Sequence, residues 1–418
     1  MDKIRINLYE LLLCLSNAQD LVSHDLSNHH QQVAYLSFRL AEQLRFPTNQ
    51  QKSIFLAALV HDIGALSVDE KLEIIDTESL NINNHAFKGA KLLEKFKPLQ
   101  EETNYIRYHH LPWNNGEGLK YKGNDVPFAS HVIHLADRVC VKIDLSKNIL
   151  SQLPEILSAI IKDKNTLFSP VLVDALIELS KKEYIWLDLI SNSPVDKLSK
   201  DSFEVLVLEI DDIVDLTSVF SQIIDFRSEF TALHSAGVAV TARKIAELVG
   251  FSPLECKMML IAGYLHDLGK LAIDNDVLEK PSKLNDDEFN EIRSHTYYTY
   301  QLLDNIKEFK TINTWASFHH ERLDGNGYPF HIKGDNLSLG SRIMAVADVF
   351  TAITENRPYR NGMTYESTIN VLNNMVKNGG IDGKIVGLLA DNFNDINDLR
   401  KDAQAKVFEQ YNKILETK

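Results

Sequence analysis

The sequence is poor in cysteine and contains no long apolar run. Cys14, Cys140 and Cys256 are isolated, without CxxC spacing. This excludes a disulfide framework and a thiolate zinc site and favours a reducing compartment. No apolar stretch reaches the roughly 18 residues that a membrane span requires, and polar residues interrupt the apolar start, unlike a signal peptide. We therefore expect a cytoplasmic protein that does not contact a membrane.

The chain also lacks an excess of positive charge. It carries 44 Lys and Arg residues against 58 Asp and Glu residues, so its formal net charge at pH 7 is −14. A protein that binds polymeric nucleic acid needs a basic face, and we expect no such partner. A small anionic ligand held by metal ions and a few local cations is compatible with this charge.

Strand signals are scarce, and helical patterns are frequent. Leu254, Met258, Ile261 and Leu265 follow one another at spacings of four, three and four, which places them on one helix face. The preceding Ser252-Pro253-Leu254-Glu255 is typical of a capping box with proline at the first helical position. The sequence therefore predicts an all-α fold, and its 418 residues suit two domains.

Histidine and aspartate spacing reveals an internal repeat. His29 and His234 lie 205 residues apart, as do His61 and His266. Each half continues with an aspartate, one histidine, a histidine pair and a final aspartate. The full sets are His29, His61, Asp62, His85, His109, His110 and Asp137, and then His234, His266, Asp267, His295, His319, His320 and Asp348. We predict tandem domains over 1–195 and 196–418, with a linker near Ser191-Asn192-Ser193-Pro194.

The repeated set in the second half predicts a binuclear metal centre. One ion rarely uses five imidazoles and two carboxylates, whereas two ions that share a bridging carboxylate do. Mixed nitrogen and oxygen ligands without thiolates suit iron, manganese or another first-row ion. Two such divalent ions can activate a water molecule and clamp a phosphoryl group for in-line attack.

Basic residues near this centre suit a phosphate. Lys270 follows Asp267 by three residues, so on one helix both would share a surface; a lysine in a surface salt bridge is the alternative. Arg357 and Arg360 follow Asp348 by nine and twelve residues. They could hold phosphates, although a solvated basic turn explains them equally well.

Several motifs of the second half resemble the HD-GYP family of HD-superfamily phosphodiesterases, over roughly 220–390. They are His266-Asp267-Leu268-Gly269-Lys270, the stretch from His319 to Pro329 that ends in Gly-Tyr-Pro, and Arg357-Pro358-Tyr359-Arg360. The resemblance implies two tandem HD-type helical domains. It also implies metal-dependent hydrolysis of a bacterial cyclic dinucleotide to the linear dinucleotide. Relatives with an altered first HD domain act on 3′,3′-cyclic GMP-AMP, so this nucleotide and cyclic di-GMP are both candidate substrates.

The resemblance also assigns roles to single residues. All seven repeated positions of the second half become metal ligands, and Asp267 bridges the ions. Asp267 and Lys270 are catalytic, while Lys270, Arg357 and Arg360 contact substrate phosphates. The loop around Tyr328 implies substrate access or contact with a GGDEF-domain or other signalling partner. A homodimer is expected on general grounds only.

Two positions depart from the family pattern. Members that bind three metals carry a glutamate four residues before the first histidine, where this chain has Phe230. We therefore expect two divalent ions in the second domain. Many members also have an acidic residue three positions after the last aspartate ligand, where this chain has Thr351.

The first half keeps all seven ligand positions and loses the surrounding cations. Ala65 stands in the place of Lys270, Ser146 and Ile149 stand in the places of the arginines, and the loop has no Gly-Tyr-Pro. One interpretation is a second metal centre with a regulatory or structural role. The other is a retired domain whose buried histidines are satisfied by hydrogen bonds.

Two other functions remain open from the residues alone. One is a general metal-dependent nucleotidase or phosphatase, which would share the metal centre and differ in its pocket. The other is a non-catalytic protein that senses a nucleotide. Lys270 and the Gly-Tyr-Pro loop favour the phosphodiesterase.

Overall fold

The structure, a computed structural model, confirms the all-α prediction. It describes residues 4–21, 28–65, 83–198, 206–226, 233–280, 282–356 and 361–415. Strands within these ranges are two residues long: Ile6–Asn7, Lys120–Tyr121, Asn124–Asp125 and Val207–Leu208. Lys120–Tyr121 pairs antiparallel with Asn124–Asp125. None of the described helices is both long and apolar enough to cross a membrane.

The chain forms two compact units, one largely Asn7–Val207 and the other largely Leu208–Lys413. The α-helices of the first unit are Leu8–Asp20, His29–Gln43, Thr48–Leu59, Asn83–Leu93, Gln100–Arg107, Phe128–Val141, Ile149–Lys162, Pro170–Ser180 and Glu183–Leu189. Its 3₁₀ helices are Lys97–Leu99, Asn114–Leu119 and Pro194–Lys197.

Among the described residues, the second unit repeats the order of the first six α-helices, with the short helix Asn275–Leu278 inserted after the third, and then adds a different end. Its α-helices are Ile210–Asp225, His234–Val249, Pro253–Leu265, Asn275–Leu278, Asp286–Asp304, Lys310–Ser317, Leu339–Thr354, Tyr365–Lys377, Gly383–Asp391 and Phe393–Leu415. Its 3₁₀ helices are Leu268–Ala272, Lys307–Phe309 and Gly334–Asn336. In both units most of the repeated histidines and aspartates lie at or next to helix ends, and Asp137 and Asp348 lie within Phe128–Val141 and Leu339–Thr354. His85 lies near the start of its helix, whereas His295 lies in the middle of Asp286–Asp304.

The helix Pro253–Leu265 begins as its sequence predicts. The Ser252 hydroxyl accepts a hydrogen bond from the Glu255 backbone N–H, and the Glu255 carboxylate accepts one from the Ser252 N–H, which completes the capping box. Of the predicted apolar face, Ile261 and Leu265 are buried and Leu254 and Met258 are partly exposed, while Cys256, Met259 and Leu260 are buried as well. A Cβ added at Gly263 would lie 2.4 Å from the Cα of Ala239, so this helix packs with close backbone contact against His234–Val249. This close packing brings the two helix ends that carry His234 and His266 together.

Candidate metal centre

The His266-Asp267 pair lies at a change of helix type. The α-helix ends at Leu265, His266 caps it, and Asp267 caps the 3₁₀ helix Leu268–Ala272. The prediction of one continuous α-helix surface through Lys270 is therefore wrong in its geometry. The predicted proximity of Lys270 to Asp267 is nevertheless found, because residues three apart eclipse one another in a 3₁₀ helix. Lys270 Nζ lies 2.6 Å from Asp267 Oδ2.

Gly269 lets this 3₁₀ helix pack directly against the helix that carries His295. A Cβ at Gly269 would lie 1.9 Å from the carbonyl oxygen of His295. The Thr299 hydroxyl accepts from the Gly269 N–H at 2.9 Å and donates to the His266 carbonyl at 3.1 Å. These contacts hold His266, Asp267 and His295 in one rigid arrangement.

Three of the histidines are oriented by the backbone carbonyl three residues earlier. The Nδ1 atoms of His266, His295 and His319 lie 2.8, 2.5 and 2.6 Å from the carbonyl oxygens of Gly263, Ile292 and Ala316. Each Nδ1–H therefore donates to a carbonyl, and the lone pair resides on Nε2. This is the ring orientation that a metal ligand needs.

The Nε2 atoms converge with the two aspartates into two adjoining groups. The ligand atoms of His295, His319 and His320 lie within 4.8 Å of one another, and the same holds for His234, His266 and Asp348. Asp267 contacts both groups, because Oδ1 lies 3.3 Å from His295 Nε2 and Oδ2 lies 3.2 Å from His266 Nε2. A carboxylate in this position can bridge two ions.

Metal coordination would satisfy these clustered side chains better than hydrogen bonds among them do. Although Asp267 Oδ2 lies 3.2 Å away, the buried His266 Nε2 makes no hydrogen bond to any described residue, which is costly unless a ligand meets it. Burial lowers the pKa of His295 to about 3 and lowers the pKa of His319 well below its usual range. Burial alone would raise the pKa of Asp267, but His266 and Lys270 hold it well below its usual range. The neutral imidazoles of His295 and His319 beside the ionised Asp267 carboxylate are donors that suit a divalent ion.

A second carboxylate, not predicted from the sequence, supports His234. His234 Nε2 lies 3.0 Å from Asp348 Oδ1, and its Nδ1 lies 3.3 Å from Glu355 Oε2. Burial alone would lower the pKa of His234, but Glu355 and Asp348 together raise it to about 10. The Glu355 carboxylate also accepts from Gln404 Nε2 at 3.2 Å. The available signal was the seven-residue spacing from Asp348 to Glu355, which is about two helical turns.

Lys270 places a cation at the edge of this centre. Its side chain is 22% exposed, so the ammonium can meet a ligand that enters from solvent. Burial alone would lower the pKa of Lys270, but the Asp267 carboxylate raises it. The lysine therefore stays charged at neutral pH. Two predicted phosphate-binding residues, Arg357 and Arg360, lie outside the described residues. The same holds for Phe230, which stands where three-metal family members have glutamate.

The loop that follows His320 is tied to the same centre. Gly325 has φ of 81°, and a Cβ at Gly327 would lie 2.4 Å from the Arg322 backbone nitrogen, so both positions favour glycine. The Tyr328 ring lies 5.0 Å from the His320 ring and 5.0 Å from the Arg293 guanidinium carbon. The loop therefore places an aromatic ring beside a predicted metal ligand, and the guanidinium of Arg293, on the helix Asp286–Asp304, lies against that ring.

The first unit holds its own ligand set at matching distances. His29 Nε2 lies 3.2 Å from Asp137 Oδ1, and His61 Nε2 lies 3.3 Å from Asp62 Oδ2. His85 Nε2 lies 3.1 Å from Asp62 Oδ1. One group of ligand atoms within 4.8 Å of one another comprises Asp62, His85, His109 and His110; another comprises His29, His61 and Asp137.

The surroundings of this first set differ from those of the second. Ala65 is buried where the second unit has Lys270. Arg138 is buried and donates to Asp137 Oδ2 from Nε at 3.0 Å and from Nη2 at 2.8 Å, so one oxygen of that carboxylate is occupied. Ser146 is exposed in the loop before Ile149–Lys162, and Ile149 is buried in the core. Among the described residues, His61 Nε2 and His110 Nε2 are buried without hydrogen-bond partners.

A comparison with protein families assigns both units. A family model described as HD domain matches residues 14–139 and 218–385. The chain belongs to the HD domain family. This confirms the resemblance seen in the sequence, and we refer below to the first and second HD domains.

Curated proteins and a solved structure extend this HD-domain assignment. The chain is 29% identical over 397 residues, covering 93% of itself and 92% of the relative, to 3′3′-cGAMP-specific phosphodiesterase 1 of Vibrio cholerae. It is 36% identical over 154 residues, or 36% of itself and 41% of the relative, to the cyclic di-GMP phosphodiesterase response regulator RpfG of Xanthomonas campestris. The crystal structure of the cyclic GMP-AMP specific phosphodiesterase V-cGAP3 of V. cholerae matches with a TM-score of 0.66 and 24% identity, over 94% of this chain and 98% of that one. This last likeness supports the fold.

Proposed function

We propose that this protein is a metal-dependent phosphodiesterase that hydrolyses a cyclic dinucleotide to the linear dinucleotide, using its second HD domain. The observation that carries the proposal is the contact of Lys270 with the predicted bridging ligand Asp267, at the edge of two adjoining ligand groups. That arrangement combines metal-ion sites with a partly exposed cation, as phosphoryl transfer requires.

The tandem arrangement favours 3′,3′-cyclic GMP-AMP as the substrate. The relative that matches over 92% of its own length is named for this nucleotide. The cyclic di-GMP phosphodiesterase RpfG matches over only 41% of its length. Cyclic di-GMP is the second candidate, because its phosphodiester chemistry is identical and only the base differs.

We assign two divalent ions, iron, manganese or similar, to the second HD domain. His234, His266 and Asp348 would hold one ion, His295, His319 and His320 the other, and Asp267 would bridge them. When bound, such ions supply an activated water molecule and charge stabilisation at phosphorus.

The chain's own residues orient and stabilise the substrate. Lys270 would neutralise a non-bridging oxygen of the scissile phosphate, and its contact with Asp267 fixes the ammonium beside the bridging ligand. Arg357 and Arg360 would hold the substrate phosphates, as the resemblance implies. Tyr328, held between His320 and Arg293, would contact a base or the sugar at the entrance.

We assign the first HD domain, about 1–195, a regulatory or structural role with bound metal. It retains all seven predicted ligand positions, and among these seven residues His61 Nε2 and His110 Nε2 are buried and make no hydrogen bond to any described residue. These orphaned atoms favour a metal centre over histidines that satisfy one another. Ala65 and the missing Gly-Tyr-Pro explain why this domain would not hydrolyse the substrate.

A substrate panel tests the proposed function. The protein is purified with Mn²⁺ or Fe²⁺ and offered 3′,3′-cyclic GMP-AMP, cyclic di-GMP and a simple phosphomonoester, and the products are resolved by chromatography. We expect the linear dinucleotide to form faster from 3′,3′-cyclic GMP-AMP than from cyclic di-GMP. Turnover of the monoester alone would indicate a phosphatase, and binding without turnover would indicate a nucleotide sensor; either result contradicts the proposal.

A further inference from the structure

A sixth imidazole faces the first metal-ligand set, in addition to the five histidines among its seven predicted ligands. His30 follows His29 at the start of the helix His29–Gln43 and is only 2% exposed. Its ring centroid lies 5.4 Å from that of His61. The ligand atoms of His30, His61 and Asp62 lie within 4.8 Å of one another, and all three residues are buried. His30 therefore lies as close to this centre as the repeated ligands do.

The two ring nitrogens of His30 have different surroundings. Nδ1 contacts the carboxylate of Asp20, on the preceding helix Leu8–Asp20. Nε2 is buried and has no hydrogen-bond partner among the described residues. A carboxylate on one nitrogen fixes the ring and leaves the other nitrogen as a lone-pair donor, which is the usual arrangement around a metal-bound histidine.

The second HD domain lacks this imidazole at the corresponding position. Ser235 follows His234 as His30 follows His29, and Asp225 corresponds to Asp20. The Ser235 hydroxyl donates to Asp225 Oδ1 at 2.7 Å, and its backbone N–H donates to Oδ2 at 2.9 Å. The serine side chain is thus directed to the aspartate, and it is too short to reach the metal ligands. The side of the second centre that faces Ser235 is left without a ligand from this position.

We propose that His30 is an additional metal ligand of the first HD domain, held by Asp20, and that it closes a coordination position which the second domain leaves open. The inference rests on the proposal that the first domain binds metal. Structural metal sites are closed by protein ligands, whereas catalytic sites keep a position for water or substrate. A closed first centre would bind its ion for stability and would not turn over substrate, even though the other ligands match those of the second domain.

Metal content in a protein with only the first centre intact tests this inference. The double variant His266→Ala/Asp267→Ala removes ligands of the second centre from the full chain. In that background, His30→Ser installs the residue of the second domain, and Asp20→Asn keeps the shape while removing the carboxylate. His131→Ser is the matched control, because His131 is equally buried and its Nε2 contacts the Gly118 carbonyl at 3.2 Å.

We expect the background protein to retain Mn²⁺ or Co²⁺ after gel filtration. His30→Ser and Asp20→Asn should each weaken that binding by about 10- to 100-fold, and His131→Ser should not. The visible absorption of bound Co²⁺ should also change in His30→Ser, since the ion loses a nitrogen ligand. If His30→Ser does not fold, the nearly isosteric Asp20→Asn variant tests whether His30 is a metal ligand.

Two results would overturn the inference, and they can be distinguished from each other. If the background protein binds no metal, the first HD domain has no centre, and the phosphodiesterase proposal for the second domain is unaffected. If metal is bound with the same affinity and the same Co²⁺ spectrum in the background, His30→Ser and Asp20→Asn proteins, the centre exists and His30 is not part of it.

Discussion

Lys270 Nζ lies 2.6 Å from Asp267 Oδ2, and the corresponding pair in the first HD domain is Ala65 and Asp62. The two domains share seven ligand positions and differ at this cation. An ammonium beside a bridging carboxylate can meet the charge that develops on a phosphoryl group. Under the proposed function, this relationship would distinguish the hydrolytic second domain from a first domain that binds metal without turnover.

Replacing Lys270 should abolish most of the activity without emptying the centre. For Lys270→Ala we expect kcat/KM for 3′,3′-cyclic GMP-AMP to fall by about 10²- to 10³-fold, as for loss of one charge-stabilising group. The metal-to-protein ratio should not change, because the amine is not a ligand. Lys280→Ala is the control, since Lys280 pairs with Glu288 elsewhere in the second domain. An activity loss of only a few-fold would argue for a surface lysine.

Glu355 should act on the metal through His234. Glu355→Gln removes the charge that faces His234 Nδ1 at 3.3 Å, and loss of such outer-shell partners typically costs about 10- to 100-fold in metal affinity. Competition with a fluorescent chelator measures this affinity directly. Glu247→Gln is the matched control, because Glu247 is exposed and pairs with Lys244. Equal affinities in both variants would contradict a supporting role for Glu355.

Glu321 should determine the position of the Gly-Tyr-Pro loop. Its buried carboxylate accepts from the backbone N–H of Phe330 at 2.6 Å and of Ile332 at 3.0 Å. Glu321→Ala leaves both donors unpaired, at a cost of about 1–3 kcal/mol each if they stay buried. We expect a higher KM, a lower melting temperature and unchanged metal content. Glu308→Gln, at an exposed site, is the control. If the KM of Glu321→Ala equals that of this control and of the wild type, the loop does not take part in substrate binding.

The first HD domain should lose stability below about pH 6.5 because of His131. Burial, reinforced by His134, lowers the pKa of His131 to about 4. Between these two pH values the unfolded chain binds a proton that the folded domain does not, so the free energy of unfolding falls as pH falls. The difference of roughly 2.5 pKa units corresponds to at most about 3 kcal/mol. Urea unfolding at pH 7, 5.5 and 4 should show a smaller decline for His131→Gln; an identical decline would assign the effect to other groups.

The repeat allowed the clustering of these residues to be predicted, because metal ligation restricts residue type and spacing together. The structure brings His234, His266 and Asp348 together although they lie on, or at the end of, three different helices. The continuous helix through Lys270 was a wrong prediction, since nothing in the local sequence signals that the α-helix ends at Leu265 or that Gly269 packs closely against the His295 carbonyl. The contact of Glu355 with His234 depends on how two helices distant in sequence pack, and those of His30 depend on how its helix packs against its neighbours. Neither residue forms part of a repeated motif.

A comparison of two double variants tests the central claim most directly. His266→Ala/Asp267→Ala and His61→Ala/Asp62→Ala make the same change in the second and first HD domains, and hydrolysis of 3′,3′-cyclic GMP-AMP with Mn²⁺ is measured for both. We predict no detectable linear product from the first variant and continued hydrolysis by the second. Product formation by His266→Ala/Asp267→Ala at the wild-type rate would contradict the assignment of catalysis to the second HD domain.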